Sequence, residues 1–280
     1  MQFTHPPLPS KNGDIDWDAV SQNYHQYILS PFAPEMVITN RQNRTRNPVL
    51  NYIRDLPNQT LAEQEILDLG CGPGNLIPHV SDKISRLSGV DLSQNALNIA
   101  EQVATNYRQF TFNGICNDIL KMPTDKKFDL IISSNSILPK TRHEVRAIFK
   151  QIHLLLKPQG RFIAILPSFD TTIYLRSLWL QHYKSQQFDE LQIRQLLDKF
   201  NTTKRVDEQN CAYADDGLNS QCYHTPATIT SETLQSGLKL IQQPTKVYYP
   251  WELAKRFDYG NFPDASEEIW DWFIIAKRDT

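Results

Sequence analysis

Glycines at 70, 72 and 74 follow a short apolar run and the carboxylate Asp68, in the order Glu65-Ile66-Leu67-Asp68-Leu69-Gly70-Cys71-Gly72-Pro73-Gly74. Glycine removes the Cβ where backbone must bend sharply and approach a ligand closely, so this turn predicts a bound ligand. Asp91 closes the next apolar run, where a carboxylate can accept hydrogen bonds from both hydroxyls of a ribose. Together they predict a nucleoside-bearing cofactor. A dinucleotide site would follow G-x-G-x-x-G, and counted from Gly70 the last glycine would fall where Asn75 stands. Here the third glycine comes one residue early, after Pro73, so a dinucleotide-dependent oxidoreductase is the weaker alternative. Cys71 has no histidine near it in sequence and reads as a small packing residue. No His/Cys/Asp cluster shows metal-ligand spacing, so no metal is expected.

The elements that must hold these residues follow from hydrophobic period. Short apolar runs at 66–69, 87–90, 110–115, 128–133 and 160–166 are separated by helix-length amphipathic pieces, including 95–107 and 142–156. This alternation predicts a mostly parallel sheet covered by helices on both faces. Residues 1–13 read as an irregular lead-in, and 14–60 as a helical segment in which Trp17, Val20, Tyr24, Tyr27 and Ile28 share one helix face. After residue 166 the alternation breaks. Residues 168–235 read as an insertion on the sheet's rim, with helices at 174–183 and 190–200 and then a polar loop. It holds His182 and His224, the two histidines that could serve as a base beside an acceptor. Strands are expected again at 238–249 and 270–277, with a short helix at 251–257.

Composition narrows the function. The 280 residues carry 29 Lys and Arg against 31 Asp and Glu, a formal charge of −2, which offers no basic field for holding a polyanion. Nucleic-acid binding is disfavoured. No apolar run approaches the length that spans a bilayer, and the first residues lack the order of a secretory signal. Four cysteines without a CxxC pair fit reduced thiols, so a cytoplasmic protein without membrane attachment is expected, as monomer or homodimer.

The D-L-G-C-G-P-G loop at 68–74, G-V-D-L-S at 89–93, Asn117-Asp118, F-D-L-I-I-S at 128–133 and L-L-K-P-Q-G-R-F at 155–162 together resemble the class I S-adenosylmethionine-dependent methyltransferases. The resemblance implies a three-layer α/β sandwich with a mostly parallel seven-stranded sheet whose last strand is antiparallel, a helical lid before it, and an insertion after strand five. Residues 61–167 and 236–280 would form the S-adenosylmethionine-binding domain, and 168–235 a cap over the acceptor. Gly70, Gly72 and Gly74 would lie under the methionine part of the cofactor. Asp91 would grip the ribose with Leu92 beside the adenine, Asp118 would accept from the adenine amino group with Ile119 against the ring, and Ser133 and Ser134 would face the methyl. Tyr24 packs in the core or covers the cofactor, Arg46 is a partner for its carboxylate or a solvated charge, and Asp68 caps the next helix or supports the cofactor. The chain departs from the family in lacking an N-P-P-Y motif at Ser134-Asn135-Ser136-Ile137-Leu138-Pro139, which turns the expectation toward a small-molecule acceptor. A methyltransferase-like binding protein without turnover is a further alternative.

Overall fold

The structure, a computed structural model, describes residues 10–11, 14–22, 47–56, 63–207, 211–215, 221–249 and 268–279. Tyr24, Arg46 and the helix expected at 251–257 lie outside them.

The chain builds its main sheet from β1 (Ile66–Leu69), β2 (Arg86–Asp91), β3 (Thr111–Cys116), β4 (Phe128–Ser134) and β5 (Leu156–Leu166), then β9 (Leu238–Leu240), β10 (Thr245–Tyr249) and β11 (Ile269–Arg278). The order across it is β9-β11-β5-β4-β1-β2-β3, with β10 also on β11. Strands β1 to β5 are mutually parallel, and β11 runs antiparallel to β5, β9 and β10. The antiparallel last strand is as expected. The single strand expected at 238–249 is instead two, because Gln242-Gln243-Pro244 interrupts it and Pro244 has no N–H for the ladder. Both pieces pair along one edge of β11, opposite β5, so eight strands occupy seven positions.

Alternation along these strands feeds two cores. Ile66, Leu130, Ile132, Ile163 and Phe273 face one way and pack with Val49 and Ile53 of α2 (Pro48–Asp55), with α3 (Ile77–Val80) and with Ala100 of α4 (Gln94–Ala104). Leu67, Leu69, Ile131, Phe162 and Ile274 face the other way, under Val145, Phe149 and Ile152 of α5 (Arg142–Leu155) and Ile229 of α8 (Pro226–Gln235). Strands buried on both faces need apolar residues at every position, which is why they read as continuous runs. The result is a three-layer α/β/α sandwich.

Beyond β5 lie α6 (Phe169–Ser185) and α7 (Glu190–Thr203), then a small antiparallel sheet in the order β8-β7-β6, from β6 (Lys204–Asp207), β7 (Ala212–Asp215) and β8 (Gln221–Cys222). This sheet replaces the polar loop expected there. Helix α8 buries Ile229, Glu232 and Thr233 against the layer that also holds α5. Residues 226–235 thus belong to the sandwich, and the inserted part is shorter than the 168–235 read from the sequence.

Candidate functional site

Strand order reverses at β1, whose neighbours are β2 on one side and β4 on the other, and in open α/β sheets ligands bind beyond the carboxyl ends of the strands at such a point. A cavity of about 260 Å³ opens there. Its lining comes from the ends of all four neighbouring strands: Gly70 and Gly72 after β1, Asp91 and Leu92 at β2, Asp118 and Ile119 after β3, and Ser134, Asn135 and Ser136 at β4. Trp17, Val20 and Ser21 of α1 (Trp17–Gln22) close one side.

The glycine turn is forced by its neighbours. Gly70 has φ +69°, and a Cβ there would sit 2.2 Å from the Cβ of Ser136. Ser136 occupies that space because its hydroxyl donates to the Leu69 carbonyl and lies 2.7 Å from the Ser133 hydroxyl. Gly72, at φ +50°, donates its N–H to Asp91 Oδ2 at 2.9 Å, and Ser93 N–H donates to Asp91 Oδ1 at the same distance. One carboxylate thereby fixes both the loop after β1 and the entry to α4, whose first turn Ser93 caps by accepting from Ala96 N–H at 3.0 Å. Each Asp91 oxygen keeps lone pairs for a further donor. Helix α1 is tied to the same corner, since Ser93 Oγ donates to Asp18 Oδ1 at 2.6 Å.

Two carboxylates, Asp68 and Asp91, stand together under the loop with no cationic partner among the described residues. Burial, with the Asp91 charge second, pushes the Asp68 carboxyl up to about 7, and burial also raises Asp91 against the hydrogen bonds from Ser93, Gly72 and Leu92. Cys71 is buried, its Sγ would lie 2.7 Å from a Cβ on Gly89, and burial holds its thiol well above the usual range. It packs against β2, and a protonated thiol is no nucleophile.

Several sequence candidates stand elsewhere. Gly74 does not line the cavity; it has φ +80°, and a Cβ there would meet Ile77 at 2.8 Å and Ala100 at 3.0 Å, so its role is close packing of the loop on α3 and α4. Asp68 and Ser133 are buried beneath the lining, Ser133 turned to Ser136. His224 is fully buried, stacked at 6.3 Å on Phe149, and burial with the nearby Arg142 lowers its pKa to about 3. An imidazole locked in the neutral form and sealed from the cavity does not serve as a base there. His182 lies exposed on α6 among Trp179 and Tyr183, away from the lining. Conversely, Asn135, Ser136 and the Asp18–Ser93 pair were not singled out from the sequence, although the polar run Ser134-Asn135-Ser136 directly after an apolar strand is a usable signal.

Comparison with known proteins agrees with this geometry. Residues 66–160 match the family described as methyltransferase domain. Over 119 residues the chain is 30% identical to the biotin biosynthesis bifunctional protein BioHC of Saccharophagus degradans, covering 42% of this chain and 21% of that protein. Over 132 residues it is 33% identical to the ubiquinone biosynthesis O-methyltransferase of Coxiella burnetii strain Dugway, covering 46% of this chain and 54% of that protein. The matched parts thus span less than two thirds of either relative. The fold resembles the N-methyltransferase NodS of Bradyrhizobium japonicum solved with S-adenosyl-L-homocysteine, with a TM-score of 0.53 at 12% identity over 95% of this chain and 100% of that one.

Proposed function

We propose that the chain, whose residues 66–160 match the methyltransferase domain family, is an S-adenosylmethionine-dependent methyltransferase that transfers a methyl group to a small-molecule acceptor held between the β4 end of the cavity and the elements around it. The observation that carries this reading is the joint placement of Gly70, Gly72, Asp91 and Asp118 along one cavity at the switch point. The residues fit the cofactor. Asp91, oriented by two backbone N–H groups, has lone pairs left for the ribose hydroxyls; Asp118 and Ile119 border the adenine position, and the glycine loop offers backbone without side chains to the methionine part.

S-adenosylmethionine supplies an activated sulfonium methyl when bound. The protein's task is then alignment, worth up to roughly 7–11 kcal/mol in well-oriented intramolecular reactions. Trp17, Val20 and Ser21 shield one side of the cavity from water, held down by Asp18 on Ser93. Among the described residues the lining holds Trp17, Val20, Leu138 and Ile148 and no Lys or Arg, which supports an apolar or amphipathic acceptor over nucleic acid. The four cysteines are free thiols, which supports a reducing, cytoplasmic setting. Among the described residues no helix is long and apolar enough to cross a membrane.

Transfer of tritiated methyl from S-adenosylmethionine to cell extract fractionated by size tests the acceptor class. Label is expected in the low-molecular-weight fraction. Label confined to protein or nucleic acid would contradict the reading.

A further inference from the structure

The charges around the cavity are of one sign. Asp91 and Asp118 line it, and among the described lining residues there is no Lys, Arg or His. Asp118 has an outlying counter-charge, since the Lys121 ammonium stands 3.9 Å away on an exposed side chain. Asp91 is held by the N–H groups of Gly72 and Ser93, and the charge that acts on it from α1 is another carboxylate, Asp18.

Asp68 is the extreme case. It stands on the central strand β1, between Gly89 of β2 and Ile132 of β4, and is 4% exposed. Among the described residues neither a hydrogen bond nor a cation reaches its carboxyl. Of the titratable groups beside it, Asp91 is like-charged and Cys71 keeps its proton, and burial with Asp91 pushes Asp68 up to about 7. The other residues of β1, Ile66, Leu67 and Leu69, are apolar and buried. Burying a carboxyl with no partner costs stability that an apolar side chain at the same place would not, so the fold alone does not account for Asp68. A ligand of opposite charge does.

The covalent order of the cofactor says which of its atoms that is. Its sulfur joins the ribose to the methionine chain. With the ribose on Asp91 at the end of β2 and the methionine part over the glycine turn after β1, the sulfur falls between these two strand ends, above Asp68 and Asp91. The layer of backbone over Asp68 does not cancel its field, because Coulomb interaction acts through space and is strongest where water is excluded.

We propose that Asp68, reinforced by Asp91 and Asp18, makes the cavity selective for charge, so that it holds the cationic sulfonium cofactor more tightly than the thioether left after transfer. In that step a lone pair of the acceptor forms the new bond to the methyl carbon while the S–C bond breaks with its electron pair left on sulfur. The positive charge thus leaves the sulfur, and the attraction that retained the cofactor is lost with it. Asp68 touches neither reactant and acts through its field alone. This assignment rests on the methyltransferase reading above.

The test is calorimetric binding of three compounds without turnover: S-adenosylmethionine; sinefungin, in which a C–NH₃⁺ group stands where S–CH₃ stands; and S-adenosylhomocysteine, whose sulfur is uncharged. Wild-type protein is expected to bind both cations at least tenfold more tightly than S-adenosylhomocysteine. Asp68→Asn keeps the shape of the side chain and removes its charge. In this variant the preference is expected to shrink at least threefold while S-adenosylhomocysteine affinity changes less than threefold, whereas a loosened loop would weaken all three compounds alike. Asp18→Asn, which leaves an oxygen for the Ser93 hydroxyl, provides the same comparison should Asp68→Asn be unfolded by circular dichroism. S-adenosylhomocysteine bound as tightly as the two cations, or a preference unchanged in the folded variant, would overturn the proposal. So would a gain for S-adenosylmethionine that sinefungin lacks, which would belong to the methyl group and not to charge. Wild-type protein that binds none of the three would overturn the methyltransferase reading itself.

Discussion

Asp91 Oδ2 accepts the backbone N–H of Gly72 at 2.9 Å, so the carboxylate at the end of β2 holds the glycine turn that follows β1. A residue read from the sequence as a ribose ligand also shapes the loop beside it. Replacing it by alanine removes both contributions. Asp91→Ala is expected to lower S-adenosylhomocysteine affinity by about 1–3 kcal/mol, measured by calorimetry on protein whose circular dichroism matches wild type. Unchanged affinity in a folded variant would remove Asp91 from the site.

The Asp68 carboxyl, pushed up to about 7 by burial and by Asp91, gives the cofactor-free protein a definite pH response. Its unfolded value is near 4, so between about pH 4 and pH 7 the folded state holds a proton that the unfolded state has lost. Its contribution is fully present below pH 4 and is lost as pH rises through 7. Thermal stability of Asp68→Asn should therefore decline less than wild type over that window, and a parallel decline would show that another group carries the effect.

Gly70 and Gly74 separate two uses of glycine. At Gly70 a methyl group would collide with Ser136, at 2.2 Å, and displace the wall of the cavity, whereas at Gly74 it would press on Ala100 at 3.0 Å, inside the packing. Gly70→Ala should weaken S-adenosylhomocysteine binding more than tenfold. Gly74→Ala should chiefly lower the midpoint of urea unfolding, by about 1–3 kcal/mol in stability. The reverse pattern would exchange their roles.

Gln159 has φ +63° in the turn within β5, a conformation that glycine enters without steric cost. Gln159→Gly relieves the left-handed strain and is expected to raise unfolding free energy by about 0.5–1 kcal/mol with no effect on ligand affinity. A loss of stability in urea unfolding would show that the side chain contributes more than the strain removes.

The doubly wound core was legible because parallel strands buried on both faces must be apolar throughout, and the loop because Gly70 and Gly72 take conformations that other residues resist. What escaped the sequence depends on distance along the chain or on polar strands. Residues 204–222 carry no apolar run, so their three short strands looked like loop. The Asn135–Asp271 hydrogen bond joins residues 136 positions apart, and nothing local at either end announces it. His224 looked available as a base because its burial comes from Phe149 on another element. In the strand order, the only sign of the break at 241–244 was Pro244.

The most direct measurement is calorimetric titration of the purified protein with S-adenosylmethionine, S-adenosylhomocysteine and NAD. Micromolar, one-to-one binding of the first two with no heat from NAD is the expected result, because the loop of Gly70, Gly72 and Gly74 lacks the third-glycine spacing of a dinucleotide site. Heat from NAD with none from either sulfur compound would contradict the assignment of the cavity.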